Sequence, residues 1–266
     1  MSRIAELFTR LKSEQRKALI AYVTAGDPNP ERTPSIIAAL ERGGADLIEL
    51  GVPFSDPVAD GPVIQLASDR ALAAGTNLKT VLGIATKVRE TSQVPLLLFS
   101  YLNPLLRYGF DALAHDAVTA GIDGCLITDL SVEEAADYVS RMRTTGLDTV
   151  FLAAPTSTER RLRLVAEYST GFVYLVSRAG VTGVQESVAS TAAPLVKAMR
   201  AVTNLPLAVG FGISRPEHAA EAGRAADAIV VGSALVKLIE RHGADAALEE
   251  RIEEFTRSLK AALEAA

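Results

Sequence analysis

An α/β fold of the (β/α)8 TIM-barrel type is what this sequence predicts, on three observations. Eight short β-rich apolar runs recur along the chain, amphipathic helical patterns usually separate them, and the runs are apolar almost throughout rather than at alternate positions. Strands of that kind belong to a parallel sheet covered on both faces, and eight strand-helix units favour closure into a barrel. An open doubly wound sheet is the second arrangement compatible with the pattern. At 266 residues, with no linker or low-complexity tract, residues 1–266 are expected to form a single domain.

The elements follow in order. Ile4, Leu7, Phe8 and Leu11 have helical spacing and predict an N-terminal helix before the first strand. Strands are expected at 18–23, 47–52, 95–101, 124–128, 149–153, 172–176, 206–211 and 228–231. An extra helix is expected at 63–74, after strand two. Ser131-x-x-Glu134, Thr156-x-x-Glu159 and Ser214-x-x-Glu217 read as capping boxes opening the helices after strands four, five and seven. In the first of these, Val132, Ala135, Ala136, Val139 and Met142 form one apolar face. Leu248, Ile252, Phe255, Leu259 and Leu263 do the same in the C-terminal helix.

Composition narrows the function. Apolar residues make up 48% of the chain and the mean hydropathy is +0.21, enough for a large core. A net charge of -5 with scattered Lys and Arg gives no footprint for nucleic acid or an anionic membrane, and no apolar run is long enough to span one. Cys125 is the only cysteine and reads as a small buried hydrophobe, which fits a reducing cytoplasm. His115, His218 and His242 lack metal-ligand spacing, so no metal is expected.

The chemistry should lie at the C-terminal ends of the strands, where the βα loops converge. Glu49 sits near such an end inside an apolar strand, where a carboxyl is costly unless paired or used. Asp60 follows in a loop stiffened by Pro53, Pro57 and Pro62, so two carboxylates on different supports could face one pocket. The bland alternatives are a buried bracing carboxylate for Glu49 and ordinary Asp-Gly-Pro turn chemistry for Asp60. Glycine-rich turns at Gly180–Gly183, Gly210–Ser214 and Gly232-Ser233 follow strands six, seven and eight. Such turns bring backbone N–H groups close to a phosphate, and a short helix beginning near Ser233 would add its dipole. The connection 177–191 is long enough for a closing lid. Tyr22, Phe211, Leu126, Leu152 and Tyr174 could line an apolar cavity or simply pack the core.

These residues stand in longer motifs: Glu49-Leu-Gly-Val-Pro-Phe-Ser-Asp-Pro57, Ala59-Asp-Gly-Pro62, Ser177-Arg-Ala-Gly-Val-Thr-Gly183, Gly210-Phe-Gly-Ile213 and Val231-Gly-Ser-Ala234. With Tyr22-Val-Thr-Ala-Gly-Asp27 and Tyr101-Leu-Asn-Pro104, they make the sequence resemble the tryptophan synthase α-subunit family over nearly its whole length. The resemblance implies a lyase of tryptophan biosynthesis that splits indole-3-glycerol phosphate into indole and glyceraldehyde 3-phosphate by a retro-aldol step, with no cofactor in this chain. It implies that Glu49 is the acid/base residue and that Asp60 pairs with the indole N–H. Tyr22, Tyr174 and Phe211 would surround the substrate, Thr182 would engage Asp60 on lid closure, and Gly183, Gly212, Gly232 and Ser233 would hold the phosphate.

The implied partner is a pyridoxal-phosphate-dependent β subunit that receives indole through a tunnel in an αββα heterotetramer, with Asp56 and Asp129 in the regions facing it. Ser131, where the family often has proline, and Val184–Ser187, where it often carries arginine, bear on lid kinetics and on activation by the partner. Two other functions fit parts of the pattern. Another phosphate-binding barrel, such as indole-glycerol-phosphate synthase or a ribosyl-anthranilate isomerase, would call for a catalytic lysine or cysteine at a strand end, and none stands there. An activating subunit with negligible turnover of its own is disfavoured by the presence of both Glu49 and Asp60.

Overall fold

The computed structural model describes residues 2–176, 188–210 and 212–266. Eight parallel strands follow one another in sequence order: β1 (Ala18–Thr24), β2 (Leu47–Gly51), β3 (Leu96–Ser100), β4 (Gly124–Ile127), β5 (Asp148–Ala153), β6 (Val173–Val176), β7 (Leu207–Gly210) and β8 (Ala228–Val231). β8 pairs back onto β1, with Ala18 opposite Ala228 and Ala21 opposite Val231. That closure leaves no sheet edge, so the open doubly wound alternative is excluded.

Side-chain alternation along each strand divides the interior into two layers. Leu19, Ala21 and Val23 of β1 join the cluster shared with the surrounding helices, while Ala18 and Ile20 join the one inside the barrel. Both faces are therefore buried, which is why the strands read as continuous apolar runs.

Helix α1 (Arg3–Ser13) is part of the inner layer. Ser2 caps it by accepting from Ala5 N at 3.2 Å. Its Ile4, Leu7, Phe8 and Leu11 are at most 7% exposed and pack on Ile20, Leu47, Leu97 and Phe172, with the Phe8 and Phe172 rings 5.8 Å apart. At roughly 1.5–3 kcal/mol for each large apolar side chain buried, this contact holds the helix across the N-terminal mouth of the barrel. Arg3 and Arg89 fasten the same end by pairing with the buried Asp123 at 2.8 Å each. The βα loops gather at the other, C-terminal end.

Helices α2 (Thr33–Arg42), α4 (Leu78–Arg89), α6 (Phe110–Ala120), α7 (Ala136–Thr145), α8 (Glu159–Tyr168), α9 (Val188–Arg200), α10 (Pro216–Gly223) and α12 (Leu248–Glu264) complete the eight units. Among the described residues, α3 (Pro62–Ala73), α5 (Leu102–Tyr108) and α11 (Ser233–His242) are additions after β2, β3 and β8. The first and third were expected, whereas α5 was not.

Local details depart from expectation at the helix starts. The segment after Ser131 is not one helix: Val132–Glu134 forms a 3-10 turn, α7 begins at Ala136, and the Ser131 hydroxyl binds the Glu133 carboxylate instead of capping. Thr158, not Thr156, caps α8 by accepting from Arg161 N at 3.3 Å. Pro216 takes the first position of α10 and holds Arg215 extended as its N-cap, so Ser214 lies outside the helix. The connection expected to reach 191 ends sooner, since α9 starts at Val188; residues 177–187 lie outside the described ones.

Candidate active site

Glu49 stands on the inner face of β2, with Tyr22 of β1 and Leu97 of β3 beside it in register. Its side chain is almost completely buried, and Oε1 has no hydrogen-bond partner among the described residues. Loss of hydration with no compensating cation pushes the Glu49 carboxyl up to about 8, so at neutral pH it holds a proton. A buried carboxyl without a partner does not brace a neighbouring strand, and the bracing alternative loses its support.

Asp60 reaches the same cavity from the β2–α3 loop. That loop is shaped by short-range bonds, Val58 N to Asp56 O at 2.9 Å and Asp60 N to Pro57 O at 3.0 Å, and Pro62 starts α3 directly afterwards. Tyr101 donates its hydroxyl to Asp60 Oδ2 at 2.8 Å and accepts from Ala59 N at 3.0 Å, while its ring lies 5.2 Å from that of Phe54. Burial raises the Asp60 carboxyl above its ordinary value, and the Tyr101 bond opposes that shift by favouring the anion. The two carboxyls therefore sit in different environments, one dry and unpartnered, the other held by a phenol.

Both line a cavity of about 340 Å³ whose apolar walls are Tyr22, Ile64, Phe99, Tyr174, Ile213 and Val230. Tyr22 meets Phe99 edge-on, with centroids 5.1 Å apart at 75°. Glycine makes room for each tyrosine on the next strand: a Cβ at Gly51 would stand 2.7 Å from Tyr22 Cζ, and one at Gly210 would stand 2.6 Å from Tyr174 Cζ. Leu126 and Leu152 do not reach the cavity. Leu126 is fully buried in the cluster around α1, and the half-buried Leu152 packs against that cluster.

The β7 and β8 loops supply a polar part of the same lining. Gly212 takes a left-handed φ of +82°, Gly232 is the N-cap of α11, and Ser233 is its first residue. Ser214 and Lys237 also line the cavity. Ser214 closes the Gly210–Ser214 turn expected here, whereas Lys237 was not anticipated, although it lies four residues after Ser233 and helical spacing puts the two on one face. Phe211, Thr182 and Gly183 lie outside the described residues.

A dry acid and a held carboxylate in a cavity with apolar walls and a glycine-rich polar part is the geometry that comparison with known proteins bears upon. A sequence model described as "Tryptophan synthase alpha chain" matches residues 8–264. The chain belongs to the tryptophan synthase alpha chain family. It is 68% identical over 260 residues to the tryptophan synthase alpha chain of Solibacter usitatus, an alignment covering 98% of this chain and 97% of that one. The alpha chain of Geotalea uraniireducens is 51% identical over 265 residues, covering 100% and 99%. The crystal structure of tryptophan synthase subunit alpha from Legionella pneumophila str. Paris superposes with a TM-score of 0.93 at 36% identity over the full length of both chains.

As a member of this family the chain is a lyase of tryptophan biosynthesis, and the family implies a β-subunit partner. The two residues expected to face that partner lie outside the cavity. Asp56 is exposed in the β2–α3 loop. Asp129 accepts from Leu102 N at 2.7 Å and so satisfies the first turn of α5, the helix that follows Tyr101.

Proposed function

We propose that the chain cleaves indole-3-glycerol phosphate to indole and glyceraldehyde 3-phosphate in the cytoplasm, without metal or organic cofactor of its own. The observation that carries this reading is Glu49: a protonated, unpartnered carboxyl opening onto an apolar slot where an aromatic ring fits. The neutral carboxyl donates its proton to indole C3. The resulting carboxylate takes the proton of the glycerol hydroxyl next to the breaking bond, the electrons of the carbon–carbon bond return to the ring, and Glu49 ends as it began.

Protonation at C3 places positive charge on the ring nitrogen. Asp60, held by Tyr101, accepts the N–H bond and stabilises that charge more than it does the neutral substrate. Tyr22, Tyr174 and Phe211 hold the ring, and the backbone at Gly183, Gly212 and Gly232 with Ser233 holds the phosphate. Thr182 would engage Asp60 when the 177–187 segment closes. Indole then passes to a pyridoxal-phosphate-dependent β subunit, in an αββα complex that docks over Asp56 and Asp129.

The test is indole release from indole-3-glycerol phosphate by the purified chain, with and without β subunit. Slow release that the β subunit accelerates, lost in Glu49→Gln and reduced to a trace in Asp60→Asn, is the expected result. Near-normal turnover in Glu49→Gln would overturn the assignment of the acid.

A further inference from the structure

The cavity must take a doubly charged phosphate beside two carboxyl groups, and backbone amides alone offer only partial charges against it. Among the described residues that line it, Lys237 is the one cation. It lies one turn into α11, on the face that carries Ser233, and no carboxylate among the described residues forms an ion pair with it. The neighbouring acidic side chain on this helix, Glu240, is engaged by Arg70, which also grips the buried Asp27 at 2.8 Å. The Lys237 ammonium thus keeps its charge available at the cavity.

We propose that Lys237 is a substrate-binding residue, the counter-cation for the phosphate of the ester held at Gly212, Gly232 and Ser233. The assignment rests on the phosphate-ester reading of the site given above. The same cavity carries the unpartnered, fully buried Glu49 carboxyl, which marks the space as a ligand site independently of the helix end. The exposed cation on α11 and the buried acid on β2 also sort orientation, since a reversed substrate would bring its phosphate against Glu49.

The test compares wild-type protein with Lys237→Gln and Lys237→Arg in the presence of β subunit. Charge-assisted hydrogen bonds to an ionised partner are worth more than neutral ones, but this lysine is solvent-exposed, so the loss should be roughly tenfold. In Lys237→Gln the KM for indole-3-glycerol phosphate rises by that factor with kcat little changed. Inhibition by glycerol 3-phosphate weakens equally, while affinity for indolepropanol, which lacks the phosphate, is unaltered. Lys237→Arg retains most of the affinity, and the gap between wild type and Lys237→Gln narrows as salt is raised.

Unchanged glycerol 3-phosphate affinity in Lys237→Gln, or equal losses for the phosphate-free ligand, would overturn the proposal. Glycerol 3-phosphate binding, measured by calorimetry on the same proteins, reads Lys237 even where no indole is released. A wild-type protein that binds this ligand through Lys237 but does not cleave the ester contradicts the catalytic reading alone.

Discussion

Replacing Glu49 by glutamine should make the protein progressively more stable than wild type as pH rises, and the size of the effect follows from burial. The carboxyl ionises near 4.5 in an unfolded chain and at about 8 in the folded one. A folded-state value above the unfolded one means that stability is fully present below about 4.5. It is then lost as pH climbs to about 8, because the unfolded state gives up its proton while the folded state keeps it. Beyond that both states are ionised and the difference is constant. At about 1.4 kcal/mol per pH unit, the 3.5-unit gap between 4.5 and 8 amounts to about 5 kcal/mol at saturation, and to about 3 kcal/mol at pH 7.

Glutamine keeps the shape and removes the proton equilibrium, so any fixed penalty for its amide shifts the whole curve without changing the slope. Urea unfolding of both proteins from about pH 5 to about pH 9 measures the difference directly, and the other titrating groups largely cancel between them. Parallel stability curves across that range would refute the reasoning, since they require Glu49 to ionise in the folded protein as it does in water.

Three further outcomes are expected. The kcat/KM for cleavage should fall as pH rises past about 8, where the Glu49 carboxyl of the free protein loses the proton it donates, and a flat kcat/KM profile through that value would remove Glu49 as the acid. Tyr101→Phe deletes both the bond to Asp60 and the acceptor for Ala59 N; a loss of about 1–3 kcal/mol in kcat/KM, with the fold intact by circular dichroism, is the expected readout. Gly51→Ala collides with the Tyr22 ring and should destabilise by about 1–3 kcal/mol, a penalty that Tyr22→Leu relieves in the double variant; strictly additive thermal unfolding data would contradict the packing argument.

Much of the site was legible because its residues break local rules. Glu49 interrupts an apolar strand, and Gly232-Ser233 ends one where a helix must begin. Tyr101 was visible only as part of a motif, because its partner Asp60 lies 41 residues away and meets it through the β2 and β3 loops. Lys237 carries no signal of its own in the sequence and joins the cavity because α11 packs on β1 and α3. The three capping boxes misled for a local reason, since the same spacing competes with Pro216 at one helix start and with Thr158 at another.

What the sequence determined by itself is the order and kind of elements: apolar runs buried on both faces can only be strands of a covered parallel sheet, and the helical stripes between them supply the cover. Which residues share a cavity was decided by tertiary structure. Closing β8 onto β1 brings loops far apart in the chain to one mouth, and α1 seals the other. Tyr22 and Tyr174 reach the cavity and Leu126 does not, although all three point inward. The physical reason is that periodicity fixes the face a side chain takes, whereas its height in the barrel depends on the register between neighbouring strands.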